Sequence, residues 1–527
     1  MFDKFPTDRR TLLASGLLSL TACTKNKKSA IVGADHVSGH RLWNQNFPPS
    51  EPGPKVGTLI IGAGVSGLAA AYTLKKAGSN DYHILDLASE PGGNARAGHT
   101  GDLSFPWGAH YLPQPGANNH DLMAFLTDCG VITGRDGRGQ AVYNDDYLCH
   151  DVEERLYYQG AWHEGLIPWK SLEPSTIKEI RAFFAYTDVM RASIGRDNKR
   201  GFQIPLSLSS IDPHYAELDR MTFANFVRGQ GWTSPFLGWY LNYCCRDDYG
   251  TDWEETSAWA GLHYFAARSG ENNKVLTWPE GNNWLVKQLI KGSEAKFTGG
   301  EIVHKLSPEK GSGLWAIESW SETLGANRRW LASDVILAVP RFAGSRLLPE
   351  LPYSKDMMSY APWMVANCEV DSMPLSNGTP LAWDNVPYGS ASLGYVVSNH
   401  QSIERYASKG ILTSYWPLTG GSSDYLRAVS GLRSTEDWVR LVKADFEMMH
   451  PGYSDSIQNV SIWLWGHGMI QPKPGYITGE YRQALNEAPF PRLALAHTDM
   501  SGISIFEEAF AQGLKAARQV LGVTPWT

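Results

Sequence analysis

What the chain lacks narrows its function first. After Leu20 no apolar run is long enough to cross a bilayer as a helix. There is no C-x-x-C pair, and no set of Cys, His and acidic residues has zinc-site spacing, so no metal centre is expected. The formal charge is only −7, and no basic stripe or basic–aromatic tract occurs, which removes nucleic acid from the expected partners. Cysteine is sparse. Beyond Cys23 there are Cys129, Cys149, Cys244, Cys245 and Cys368, an odd number that leaves at least one thiol unpaired or pairing elsewhere. The adjacent Cys244 and Cys245 are two buried thiols or a strained vicinal disulfide, and no cysteine is assigned a catalytic role. What is present is an ordinary globular composition, 43% hydrophobic and 19% charged over 527 residues. The 20 Trp and 23 Tyr are a heavy aromatic load, enough to fill a large core or line an apolar ligand cavity.

The chain is organised around residues 55–98. An apolar run over 57–61 reads as a buried parallel strand. Gly62, Gly64 and Gly67 follow in G-x-G-x-x-G spacing. A helix is predicted over 66–77 with Gly78 to stop it, and a second strand over 82–85 ends in Asp86. The first glycine permits a tight strand-to-helix turn, the second lets backbone approach a pyrophosphate, and the third allows the helix to pack on the strand. The helix N-terminus adds unpaired N–H groups and the positive end of a dipole. Asp86 is placed to accept the hydroxyls of an adenosine ribose and would repel a 2′-phosphate, which disfavours NADP. Ala63, Ser66 and Leu87 complete the expected dinucleotide cradle. A second glycine turn, Glu90-Pro91-Gly92-Gly93-Asn94, comes next.

With that turn the stretch resembles the FAD-binding signature of the flavin amine oxidase, protoporphyrinogen oxidase and phytoene desaturase superfamily. The resemblance implies FAD and a two-domain α/β FAD-oxidoreductase fold. In that fold a Rossmann-like domain is assembled from discontinuous segments, with an inserted α+β substrate domain. The expected FAD-domain parts are 55–118, 273–348 and 462–527, and the substrate-domain parts are 119–272 and 349–461. The resemblance also puts Gly108, Ala109, His110 and Tyr111 against the flavin ring, Val303 on the adenine side through its backbone, and Asp499 on the ribityl chain. Trp465 could flank the flavin. His467 is the acid/base candidate, its alternative being a polar residue in a glycine loop; His110 is catalytic or structural beside the cofactor.

Several positions depart from the family pattern. Asp86 stands where Glu is usual. Asn94 stands where Arg commonly follows the glycine doublet, which removes a positive charge near the phosphates or flavin. The strand over 363–370 has no lysine, although many polyamine and monoamine oxidases carry one there to hold a water at flavin N5. Ile505 stands where amine oxidases often place an aromatic to form half of a cage. Asp247 and Asp248 are either an attraction for a cationic amine or solvated acids in a polar turn. No second G-x-G-x-x-G unit is found, so a separate NADPH site is not expected.

The N-terminus reads as a targeting segment. Arg9-Arg10 precede a short apolar region, 12–20, that closes in Leu20-Thr21-Ala22-Cys23. This looks like a twin-arginine signal over 1–23 with a lipobox, Cys23 being the lipidated residue; an ordinary secretory signal or an uncleaved anchor is the alternative. Residues 24–54, polar and then proline-rich, read as a tether. An exported, membrane-anchored, periplasm-facing flavoenzyme is therefore expected. Its substrate would be a small molecule, and oxygen or a periplasmic or membrane acceptor would take its electrons. The leading expectation is oxidation of a C–N bond in an amine or amino acid. The alternatives are a desaturase or isomerase of an apolar, lipid-like molecule, and an electron-transfer lipoprotein without turnover.

Overall fold

Residues 58–61 close a strand with side chains that leave no apolar surface in water, Leu59 and Ile60 being fully buried. A strand this apolar needs cover on both faces, which is the signature of a parallel α/β sheet. The computed structural model describes residues 29–34, 36–44, 46–268, 274–400 and 409–523. The expected leader, with Arg9, Arg10 and Cys23, lies outside the described residues.

The first sheet runs in the order Lys296–Thr298, Tyr82–Leu85, Glu51–Ile61, Ala326–Leu337, Trp315–Ser321 and Glu301–Pro308, with Leu493–Leu495 also paired to Ala326–Leu337. Glu51–Ile61 is parallel to Tyr82–Leu85 on one side and to Ala326–Leu337 on the other. Three distant segments thus meet in one Rossmann-like layer, as expected. The helix Val65–Lys76 packs against the C-terminal helix Phe506–Val520 and the helix Asn283–Ser293. The first of these contacts is so close that a Cβ on Gly513 would lie 2.2 Å from the Ser66 carbonyl oxygen.

The second sheet has eight strands, in the order Ala30–Gly33, Ile457–Ile470, Tyr360–Val370, Gly410–Pro417, Tyr395–Val397, Asp384–Pro387, Glu154–Tyr158 and Ala161–Glu164. The helices Pro174–Ala192, Phe223–Gly229, Pro235–Tyr249 and Ala258–Ala266 pack on one another, and Phe236 meets Tyr158 of the sheet.

Three stretches differ from the sequence expectation. Residues 30–34 and 36–44 are folded rather than a free tether. Ala30–Gly33 is a parallel edge strand on Ile457–Ile470, and the helix His36–Asn44 reaches the other sheet, with Ser38 donating to Glu322 and Arg41 lying over Trp320. The helix His120–Asp128 packs in the core of the dinucleotide domain, where Phe125 meets Phe510 and Tyr72, so that domain extends past 118. Residues 462–470 remain in the substrate-domain sheet, because the strand that begins at Ile457 does not end until Ile470. All five cysteines among the described residues are free thiols, Cys244 and Cys245 included. No described helix is long and apolar enough to cross a membrane.

Candidate active site

The glycines of the 62–67 turn have three different jobs. Gly62 has φ +105°, and a Cβ there would lie 2.3 Å from the Ala338 carbonyl oxygen. A Cβ on Gly67 would lie 1.9 Å from the Gly62 carbonyl oxygen. Gly64, between them, has nothing within 4 Å of its missing Cβ and caps Val65–Lys76 without any side-chain hydrogen bond to the helix. A tight turn, an open face and bare helix N–H groups make a cradle for a pyrophosphate. The second glycine turn closes it: Gly92 N–H donates to the Ala63 carbonyl at 2.8 Å, and Gly93, at φ +54°, sits against the Gly64 Cα. Ser66 is buried in the contact with the last helix, and Leu87 is part-exposed beside the N-terminal helix at Gly39.

Asp86 closes the ribose end. Its carboxylate accepts from the Ala63 N–H at 2.5 Å and the Ala88 N–H at 2.7 Å. Burial raises its pKa, and those two donors and Arg96 work against the rise. Val303 is buried on Glu301–Pro308, and the Glu301 N–H donates to the Asp86 carbonyl, so that strand does border the acid. The expected loss of positive charge at Asn94 is offset two residues later. The Arg96 guanidinium is 4.9 Å from the Trp463 ring and 5.5 Å from the Trp465 ring, and its Nε donates to the Gly93 carbonyl. Asn94 is instead a brace, donating to the Gly468 carbonyl while its own carbonyl receives Ala109 N–H.

Between the domains lies a cavity enclosing about 890 Å³, its mouth included. Asn94, Gly108, Ala109, His110, Tyr111, Trp465 and Ile505 of the expected set line it. Phe506, beside Ile505, also borders the wall, but its ring is buried in the dinucleotide-domain core on Phe510. The strand Tyr360–Val370 presents Trp363 and Val365 and, as the sequence indicated, no lysine.

Four charged residues also line the cavity: Asp247, Asp248, Arg268 and Glu507. The helix Pro235–Tyr249 continues past Cys245, so Asp247 and Asp248 are not in a polar turn; they face inward. Arg268 holds Asp248 with one nitrogen at 2.8 and 2.7 Å from its two oxygens. Asp247 has no such partner; burial and then the neighbouring Asp248 push it up to about 7, against the pull of Arg268. Burial likewise brings Glu507 to about 7. The sequence signal for Glu507 was an acid in the first turn of a helix; Arg268 and Tyr415 carried none. Asn282 is 2% exposed, donates to the Tyr111 carbonyl, and has a side-chain oxygen with no partner among the described residues. An acceptor buried that way in a cavity wall costs free energy until a ligand donates to it.

Of the remaining candidates, His467 and Asp499 lie outside the cavity lining and His110 lies within it. His467 is outside the cavity, stacked on Phe342 at 4.4 Å and edge-on to Tyr360. Opposite strands pair Trp363 with Trp465 and Ala361 with Met469, so residues 466–468 stand against Pro362 alone. That bulge turns His467 to the other face. Burial, then nearby Arg427, lowers it to about 4. His110 does line the cavity, among Tyr415, Trp383 and Tyr111. Burial lowers it to about 3, so it is a neutral aromatic wall and a poor proton acceptor. Asp499 is absent from the cavity lining. It borders a separate small cavity with Arg341 and His497, and its carboxylate accepts from the Arg341 N–H at 2.6 Å and the Tyr360 hydroxyl at 2.7 Å. Its neighbours His497, Arg341 and Tyr360 hold the carboxyl low despite complete burial, which alone would raise it.

Comparisons with known proteins agree with this geometry. A family model for an NAD(P)-binding Rossmann-like domain matches residues 60–129. A search of curated proteins by sequence gives no match. Among solved structures, cyclohexylamine oxidase from Brevibacterium oxydans IH-35A is similar over 89% of this chain and 99% of its own, with TM-score 0.64 and 15% identity. Putrescine oxidase bound to putrescine is similar over 90% of this chain and 100% of its own, with TM-score 0.63 and 15% identity. A CLA-producing fatty acid isomerase from P. acnes is similar over 87% of this chain and 97% of its own, with TM-score 0.59 and 15% identity. From the glycine cradle to the cavity between the sheets, the chain has the two-domain FAD-oxidoreductase fold.

Proposed function

We propose that this protein is an FAD-dependent oxidase or dehydrogenase that oxidises the C–N bond of an amine. FAD is supported by the open cradle at Gly64, the acid at Asp86 and the unpartnered Asn282 oxygen in the cavity. When bound, FAD would supply the hydride acceptor. The chain supplies the cavity and its charge.

The observation that carries the amine reading is the cavity's charge balance. Its one guanidinium, Arg268, is taken by Asp248, while Asp247 and Glu507 remain. A buried pocket with surplus acid and walls of Tyr111, Trp363, Tyr415 and Trp465 favours an organic cation. It does not favour a carboxylate, which sets amines above amino acids. Oxidation by hydride loss needs the amine's lone pair, and a carboxyl group balanced near neutrality can take the ammonium proton. Asp247 is assigned that role. Trp465 is fixed as a wall, its indole N–H donating to the Trp107 carbonyl at 2.7 Å.

An anaerobic screen of the FAD-loaded protein tests this. Primary and secondary amines should bleach the flavin absorbance and, on reoxidation, release aldehyde and the shorter amine or ammonia. Asp247→Asn should raise the amine concentration for half-bleaching by tenfold or more and flatten its dependence on pH near 7. No bleaching by any amine, with bound lipid recovered from the pure protein, would replace this reading by an apolar substrate. Cys23 lipidation, export and an extracytoplasmic electron acceptor are proposed alongside it, resting on the leader sequence alone.

A further inference from the structure

The segment between Ser193 and Asp212 builds a surface feature that neither the cavity nor the proposed chemistry uses. Ile211 is 85% exposed and Ile194 is 64% exposed, among the most exposed large apolar side chains described. They are neighbours in space. A Cβ on Gly195 would lie 2.0 Å from the Ser210 Oγ, Ile194 bridges to Arg200, and the Arg200 carbonyl accepts from Ser210 N–H.

The acids of this segment are held by its own hydrogen bonds, Asp212 buried and Asp197 at the surface. Asp197 accepts from the Ser210 hydroxyl, the Ile211 N–H and the Lys199 N–H. Asp212 accepts from the Arg196 and His214 N–H groups. The cations face out: Arg196, Lys199 and Arg200 are all exposed, and among the described residues Lys199 and Arg200 form no ion pair. Arg196 keeps only a 3.7 Å contact to Asp212, with its side chain 90% exposed. The result is a hydrogen-bonded tip with two isoleucines at its apex and three cations around them.

Largely exposed isoleucines beside a basic ring are the complement of an interface that is apolar inside and anionic at its surface. A chain of formal charge −7 would otherwise be repelled from such an interface, and here the three cations outnumber the two acids, Asp197 and Asp212. We propose that this tip docks the protein on anionic lipid bilayers, with Ile194 and Ile211 entering the headgroup region and Arg196, Lys199 and Arg200 on the lipid phosphates. The base of the same segment touches the cavity wall: the Leu206 N–H donates to Glu508, next to the cavity-lining Glu507. Docking there would set the cavity at a fixed distance from the membrane.

The test uses the chain from Thr24, which keeps every described residue and drops the apolar leader. It is loaded with FAD and spun with phosphatidylcholine vesicles with and without phosphatidylglycerol. Binding is expected only with phosphatidylglycerol, weakening as salt shortens the screening length. Replacing Arg196, Lys199 and Arg200 by Gln should lower partitioning by roughly fivefold per cation, about a hundredfold together. Ile194→Ser with Ile211→Ser should also release the protein, with FAD content and melting temperature unchanged in both variants. Equal binding by wild type and both variants, or no binding of the wild type to either vesicle, would overturn the proposal. So would isoleucine-dependent self-association in place of vesicle binding.

Discussion

Gly64 and Gly67 stand three residues apart in one motif, yet a side chain at each would meet opposite surroundings. At Gly67 the nearest atom to an added Cβ is backbone, the Gly62 carbonyl oxygen, which cannot rotate away. At Gly64 there is open space, and the backbone is extended at φ −71°, a conformation any residue adopts. Gly67→Ala is therefore expected to destabilise the cofactor-free protein by about 1–3 kcal/mol, the usual cost of forcing extra atoms into a packed site. Gly64→Val should leave that stability within about 0.5 kcal/mol, as at other surface positions. It should instead weaken FAD binding by about 1.5–3 kcal/mol, the scale of hydrogen bonds to a charged group. Urea unfolding of the cofactor-free proteins and titration with FAD separate the two effects. If Gly64→Val bound FAD as tightly as wild type, Gly64 would not face the pyrophosphate. Arg96 makes a related point about position: a guanidinium is kept between cradle and cavity even though the glycine doublet is followed by Asn94.

Among whole elements, the parts written in short-range pattern were legible and the parts set by long-range pairing were not. The strand Tyr82–Leu85 and the glycine turn follow from apolar runs and glycine spacing, which act within a few residues. The start of Glu51–Ile61 was missed because Pro52, Gly53 and Pro54 look like a linker; they join a strand only because Ala326–Leu337 runs beside them. His467 was misplaced because alternation along Ile457–Ile470 is broken by a bulge that only its partner strand reveals. Asp247 and Asp248 were split between two readings because helix Pro235–Tyr249 continues through a stretch of poor helix formers. It is held there by burial of Tyr243, Cys244, Cys245 and Tyr249 and stopped by Gly250 at φ +61°. That stop is also a cavity support, since a Cβ on Gly250 would lie 2.5 Å from both Ala361 Cβ and Trp363 Nε1. Gly250→Ala should therefore cost about 1–3 kcal/mol in unfolding, from crowding and the left-handed backbone together. It should also shift the visible spectrum of bound flavin through Trp363. An unchanged spectrum with normal stability would show that the helix end and the cavity wall are not coupled.

The folded molecule as a whole holds two opposed sets of buried titratable groups, and together they fix how its stability varies with pH. Glu154, Asp247, Glu507 and Glu508 are each raised to about 7, chiefly by burial. A carboxyl group raised on folding is protonated in the native state where the unfolded chain has already lost its proton. Its contribution is complete below its unfolded pKa and is lost as pH rises through about 7. His110, His263, His450 and His467 are lowered by burial to between about 3 and 4. These stay neutral in the native state while the unfolded chain binds protons, so stability falls as pH drops below about 6.5. The two sets oppose each other near pH 5–6, where a broad maximum is expected, and the acids dominate above about 6.5, where stability should decline toward pH 8. Urea denaturation of the cofactor-free protein at closely spaced pH values measures this directly. Asp247→Asn with Glu507→Gln should flatten the alkaline decline and, with fewer acids to oppose the histidines, make stability climb between about pH 5 and 6.5, which moves the maximum upward. An alkaline decline as steep in the double variant as in wild type would mean that those two carboxyl groups are ionised in the folded cavity. Both would then pair with the ammonium as fixed anions, and the proton-accepting role assigned to Asp247 would pass to another group in the wall.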